Sequence, residues 1–307
     1  VGHEGAGIAA VRGDAVAPEG ASRDALEAVD RARNPLADLR PVSTAAVLDG
    51  GVDLLAHRVG RLAAFTACLY VPVWLGSVVL AVVAPPSLSG GGAGVDLTGM
   101  STATSSSLAW VIVALQALAL SVLGLCTGHL AMALARGGDA PLRELGALAW
   151  RRSWVAAVLV LLNTAVKVPA LCLGGVGWFL VDAFVFVSSV VAGAEALGPW
   201  SAFRRGWRLT GSQLGRALVI SFGGFCITQL IRLSLSYGPT VLIDSLAPGS
   251  VFVTAYAVLS TAVLLVTQPL TACIAARAYL DLRCRREGLD LELRHERLLL
   301  ELGGAPR

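Results

Sequence analysis

Three ionisable residues lie where the chain is otherwise apolar: Lys167, Asp182 and Arg232. A charged side chain inside a bilayer is expensive, and by default it marks an ion pair, a solute path or a ligand site. Helix rise puts Lys167 about 21 Å beyond Ser153, where one apolar run begins, and Arg232 about 22 Å beyond Ala217, where another begins. Asp182 falls about 8 Å below the outer end of a run that starts at Gly177. The three are therefore expected at one depth in the outer third. Asn163, one turn before Lys167, and Gln229, three residues before Arg232, add amide groups on the same faces. Two kinds of chemistry suit such a set. In the structural kind, Asp182 pairs with one cation while Lys167 and Arg232 snorkel to headgroups. In the binding kind, two cations against one carboxylate leave a positive charge for an anionic headgroup or solute.

Other reactive residue types form no pattern that chemistry requires. His3, His57, His129 and His295 are scattered, and the 21 acidic residues fall mostly in the two ends of the chain. HExxH, GxSxG and P-loop signatures are missing, so no catalytic residue and no cofactor is expected. Cys68, Cys126, Cys172, Cys226 and Cys273 fall in separate apolar runs, and with Cys284 they make no CxxC pair; they read as small buried residues and not as metal ligands. His129 stands beside Gly124 and Gly128, a GxxxG spacing that favours close helix contact over proton relay. The glycines at 90–94 lie in a Ser-rich stretch with no flanking strand and read as a linker.

The elements that must hold these residues are membrane helices. The 307 residues are 55 % hydrophobic and 15 % charged, with a mean hydropathy of +0.71; a soluble domain carries roughly 25 % charge. Apolar runs long enough to cross a ~30 Å hydrocarbon layer are read at about 62–84, 108–134, 153–173, 177–194, 217–237 and 251–280. The block 153–194 is too long for one helix, and Gly174, Gly175 and Gly177 predict a tight hairpin inside it. The expected fold class is all-α and polytopic: a 43–280 membrane domain of three hairpins. Residues 1–42 are expected to be a disordered tail, because they lack a sustained apolar period. Residues 281–307 are expected to form a charged helix and tail. No basic stretch with a short apolar core opens the sequence, so a cleaved signal peptide is not expected.

Of 24 basic residues, 22 fall in the two tails and the connectors 135–152 and 195–216; the rest are Lys167 and Arg232. Positive residues stay in the cytoplasm, so both termini are expected there, in a cytoplasmic membrane. Each hairpin is preceded by an amphipathic stretch. Leu48, Val52, Leu55, Val59 and Leu62 form the first apolar stripe, with Ser43 or Thr44 as its cap. Leu142, Leu145 and Leu148 line the second, after Asp139 and Pro141. In the third, started by Pro199, Trp200, Phe203 and Trp207 face lipid while Arg204, Arg205 and Arg208 meet anionic headgroups. All three are expected as interfacial helices. Repeat units with an even number of spans keep one orientation, which excludes the inverted repeats of common secondary transporters.

Residues 40–55 (RPVSTAAVLDGGVDLL), 197–220 (LGPWSAFRRGWRLTGSQLGRALVI) and 279–293 (YLDLRCRREGLDLEL) resemble actinobacterial membrane proteins related to the glycerophosphoryl diester phosphodiesterase membrane domain. The resemblance implies a six-span module without the soluble catalytic barrel, whose His pair and metal-binding carboxylates have no counterpart here. The expected role is a non-enzymatic membrane module acting through anionic lipids or a membrane or cytoplasmic protein partner, with no nucleic acid. The alternative is a transporter or permease subunit for an anionic solute or lipid. A water-accessible cavity lined by Lys167, Asp182 and Arg232 separates transport from a dry scaffold.

Overall fold

The computed structural model of the chain describes Leu36 and residues 39–83, 107–170, 172, 174–246 and 250–301. Among these residues the protein is all-α, without strands. Six helical stretches are long and apolar enough to cross a membrane. The helices are α1 (Thr44–His57), α2 (Val59–Val83), α3 (Ser107–Ala135), α4 (Leu142–Ala170), α5 (Gly174–Val185), α6 (Ser188–Ala194), α7 (Pro199–Gly211), α8 (Leu214–Leu246), α9 (Ser250–Glu287) and α10 (Leu289–Glu301). The loop expected after Pro85 and the tail before Leu36 lie outside the described residues.

Burial sorts the spans into two layers. In Ala114–Ala135 of α3 and Ala262–Glu287 of α9, 72 % of residues are buried, against 17 to 22 % in the spans of α2, α4 and α8. The first two are therefore the axis of the bundle, and the others present apolar side chains such as Leu161 and Leu230 outward, as lipid-facing helices do. Small residues allow the closest approach. Gly124 and Gly128 of α3 meet Ser189 and Val190 of α6, and Gly193 of α6 lies on the Leu125 carbonyl. A side chain at any of these positions would separate the two backbones.

The fourth span is interrupted. Phe186 and Val187 separate α5 from α6, and the carbonyls freed by the break find other donors. Thr210 Oγ1 of α7 donates to Phe184 O at 3.2 Å, and Ser188 Oγ donates to Val185 O at 2.7 Å. Gly206 of α7 packs on the Ser188 backbone, 3.2 Å from its Cα to a built Cβ. At the other end of α6, Arg152 of α4 donates to the carbonyls of Ala192, Ala196 and Leu197, a cation placed on a helix C-terminus.

Four sequence expectations are corrected. The second amphipathic stretch is no separate interfacial helix: α4 runs unbroken from Leu142 to Ala170, because only Gly146 among its first residues weakens a helix. In α1 the buried residues are Val47, Gly51 and Leu54, while Val52 stays exposed; Gly51 admits the α9 backbone, with Ile274 Cα 2.9 Å from a built Cβ. The packed chain begins before Ser43, since Leu36 and Leu39 are buried in the core. Finally, the charged helix does not start at Asp281. Helix α9 continues to Glu287, and Gly288 at φ +66° breaks it from α10. The expected cap of α1 is present: Ser43 Oγ accepts from Ala46 N at 3.2 Å. The hairpin turn falls where its glycines indicate, between Ala170 and Gly174.

Candidate functional site

Lys167 and Asp182 face each other across the α4–α5 hairpin, and the ammonium donates to Asp182 Oδ1. The second carboxylate oxygen, Oδ2, accepts from Ser221 Oγ of α8 at 2.8 Å. Lys167 Nζ also lies 5.1 Å from the centroid of the Trp178 ring, a cation–π contact. One carboxylate thus joins α4, α5 and α8. Asn163 is not part of this cluster: its Nδ2 lies 3.3 Å from Ser188 Oγ, at the break in the fourth span.

Arg232 is at a different depth. Asp182 is level with Ser221, and Arg232 lies eleven residues further along α8, about 16 Å by helix rise. The expected common depth is corrected here. It assumed a straight, unbroken descending span for Asp182 and a start for α8 at Ala217. Among the described residues Arg232 makes no ion pair.

What connects the two depths is a cleft of about 220 Å³. Along α8 it is lined by Ser221, Gly224, Phe225, Thr228, Gln229 and Arg232, one continuous helix face. Thr267, Gln268, Thr271 and Ile274 of α9 form the opposite wall, Leu120 of α3 lies between, and Asp182 and Phe186 mark the end away from Arg232. The hydroxyls of Thr228, Thr267 and Thr271 donate back to their own helices, to Gly224, Val263 and Thr267 carbonyls at 2.9 Å. Gln268 Oε1 is buried with no hydrogen-bond partner. Gln268 was missed in the sequence reading. Its signal was present as an amide next to Pro269 in the middle of an apolar span, where neither residue helps a helix cross lipid.

The three arginines expected at headgroups separate into two groups. Arg204 and Arg208 are exposed on α7. Arg205 points inward and binds Glu195 at 2.9 Å and Glu287 at 2.6 Å, which takes it out of the headgroup set. Burial works to lower its pKa, but the hydrogen bonds and charges of Glu195 and Glu287 hold it above the ordinary arginine value. Tyr279 Oη donates to Glu195 Oε1 at 2.9 Å and accepts from Arg283. A second cluster centres on Asp281, whose carboxylate binds Arg216 at 2.8 Å and Arg285 at 3.2 Å and accepts from Val42 N at 3.1 Å. Arg216 and Arg285 also donate to Val42 O. Arg58 and Arg61 bind Asp139 in the α3–α4 connector. His129 Nε2 lies 2.9 Å from Glu144 Oε1 of α4, a contact that ties α3 to α4. No group of three or more metal-ligating side chains occurs among the described residues.

Fold and site together define, among the described residues, an all-α bundle with six helices long and apolar enough to cross a membrane and a cleft between α8 and α9 that sets Arg232, Gln229 and Gln268 among apolar side chains. No family model, curated protein or solved structure matches the chain.

Proposed function

We propose that this chain is a multi-pass membrane protein that binds an anionic lipid or solute in the α8–α9 cleft, without catalysing a reaction on it. The observation that carries this reading is Arg232, whose guanidinium lines the cleft beside Gln229 and has no ion pair among the described residues. A cation within a span costs up to ~2.5 to 3.5 kcal/mol at the helix centre, and an anion bound there offsets the cost. Arginine holds phosphate or carboxylate through two parallel hydrogen bonds. The orientation belonging to this reading puts the arginine-rich connectors and both termini in the cytoplasm of a cell membrane, with Arg232 toward the outer leaflet. The resemblance of residues 40–55, 197–220 and 279–293 to the glycerophosphoryl diester phosphodiesterase membrane domain family agrees with a module of this kind.

A second reading, a carrier for the same anion, is favoured by one observation. The cleft is bordered by the broken fourth span and by the stretch of α9 that holds Pro269, and discontinuous helices recur at transporter sites.

The test is lipid retention by protein in phosphatidylcholine nanodiscs doped with an anionic lipid, read by native mass spectrometry. Wild type should enrich the anionic lipid and Arg232→Gln should lose most of that enrichment. Equal retention of anionic and zwitterionic lipid by wild type overturns the reading. Flux of the anion into proteoliposomes would move the conclusion to the carrier. Impermeant thiol labelling of Ser212→Cys from the outside of intact cells would reverse the orientation.

A further inference from the structure

Polarity is unevenly spread along the cleft. The Arg216–Asp281 ion pair and the contact of Gly224 with Ile274, whose Cγ2 lies 3.3 Å from a built Cβ, set α8 and α9 antiparallel. Arg232 and Gln229 therefore share one end, and Ile220, Phe186 and Ile274 lie toward the other, with Asp182. At that inner end the polar atoms are committed, since Asp182 accepts from Lys167 and Ser221. In the middle, Thr228 and Thr271 donate to the carbonyls of Gly224 and Thr267. The wall that remains for a ligand is mostly carbon, from Leu120, Phe186, Ile220, Phe225 and Ile274. Gln229 and Arg232 differ, because neither makes a hydrogen bond among the described residues.

We infer that the anion of the reading above carries an alkyl chain, with its charged head on Arg232 and the chain running between α8 and α9 toward Ile220 and Phe186. This deepens that reading and rests on it. Shape supports a chain. Ser221 and Arg232 are eleven residues apart on α8, about 16 Å by helix rise, and about 220 Å³ drawn out over that length makes a slender space. One chain fits it, and two abreast do not. A small hydrophilic anion would occupy the Arg232 end and leave the carbon wall facing nothing, which forfeits dispersion contacts along its length. The roles of head and chain follow from the solvent. Lipid tails are as apolar as the packed side chains of a membrane protein, so a chain entering the cleft from the bilayer gains contacts but little transfer energy, and selectivity falls to the head. Arginine holds a carboxylate or a phosphate through paired hydrogen bonds, so a fatty acid and an anionic phospholipid offer the same chemistry.

Photolabelling reads the position of the chain. The protein in phosphatidylcholine nanodiscs, in mildly alkaline buffer, receives palmitic acid, phosphatidylglycerol or phosphatidylcholine with a diazirine near the end of a palmitoyl chain, and crosslinked peptides are mapped by mass spectrometry. With an anionic probe, wild type should label the stretches around Ile220 and Ile274 at least about tenfold over the phosphatidylcholine probe, the scale of hydrogen bonds to a charged group. Arg232→Gln should lose that excess. Thr228→Phe, which plugs the middle of the cleft, should lose it too, while Thr228→Val should keep it, because the threonine proton is spent on its own helix. Arg232-dependent labelling confined to residues near Arg232 in wild type overturns the chain assignment and leaves the anion site standing. So does an excess that survives Thr228→Phe or disappears in Thr228→Val. Failure of both anionic probes to exceed phosphatidylcholine removes the site itself. Excess with palmitic acid alone assigns the chain to a fatty acid, excess with phosphatidylglycerol alone to a phospholipid, and excess with both supports a site for either source.

Discussion

Asp281→Asn offers the sharpest test of how the start of the packed chain is held. The Asp281 carboxylate is 1 % exposed, and it faces Arg216 Nε at 2.8 Å, Arg285 Nε at 3.2 Å and Val42 N at 3.1 Å. Removing one member of a buried ion pair costs about 3 to 5 kcal/mol, because its partner is left uncompensated. Two facts place the expectation at the lower end: Arg285 is 30 % exposed, so water screens it, and both guanidiniums keep the Val42 carbonyl as an acceptor. About 3 kcal/mol corresponds to a more than hundredfold rise in the opening of the contact. Asparagine keeps the shape and still accepts from Val42 N, so the loss reports charge and not volume. The assay is hydrogen exchange at the amide of Val42, with trypsin cleavage after Arg40 as a second readout. Both should accelerate in Asp281→Asn while exchange in the middle of α3 is unchanged. If Val42 exchanges at the wild-type rate in the variant, the cluster does not hold this segment and the energetic reasoning fails.

Two further substitutions follow from the same geometry. Gly193→Ala should destabilise the bundle by about 1 to 3 kcal/mol through overpacking, because its new Cβ meets the Leu125 carbonyl, whereas Gly146→Ala, with nothing within 4 Å, should be neutral or stabilise by about 0.5 to 1 kcal/mol; unfolding midpoints in detergent should move in opposite directions. Burial works to raise the Asp139 pKa, but the Arg61 hydrogen bond and the charges of Arg58 and Arg61 hold it below its ordinary value of 3.8. Its contribution is therefore present above 3.8 and lost as pH falls through the lower folded value, so the stability difference between wild type and Asp139→Asn should vanish in strong acid. It should be only ~0.5 kcal/mol at neutral pH, given a half-exposed pair, and a difference that persists in acid would assign it to something other than charge.

The sequence carries the span count and the hairpin turn in a form that hydropathy reads directly. Both depend on local composition: apolar runs of sufficient length, and Gly174 at φ +70° in the turn. That Asp182 pairs with a cation was legible for the same reason, but only the structure selects Lys167, its partner across the hairpin, over Arg232. Arg232 was misplaced because its depth depends on where α8 starts and on a break in the partner span, and both are tertiary facts. The break at Phe186 and Val187 has no Gly or Pro to announce it. It exists because Thr210 and Ser188 supply donors that the sequence places 26 and three residues from their acceptors. The inward turn of Arg205 was likewise hidden, since its second carboxylate, Glu287, lies 82 residues away.

The irregular backbone bears on whether the cleft is a packing gap or a built feature. In lipid, a freed carbonyl is tolerated only where protein covers it or where it lines a cavity. The break in the fourth span is covered by α3 and α7, through Gly124, Gly128 and Gly206, and its far side carries Phe186 and Asp182 into the cleft. In α9, Pro269 cannot donate to the carbonyl of Leu265, and its neighbours Thr267, Gln268 and Thr271 line the same cleft. The break and Pro269 therefore border one space, whereas the other helix prolines, Pro72 of α2 and Pro169 of α4, lie on exposed faces. Asp182 then fixes that space from three sides, since its bonds to Lys167 and Ser221 hold α4, α5 and α8 at set distances. A gap left by poor packing has no such brace. The α8–α9 cleft sets Ser221, Gln229, Gln268 and Arg232 into a mostly apolar lining and is braced at one end by Asp182, and among the described residues Arg232 makes no ion pair there.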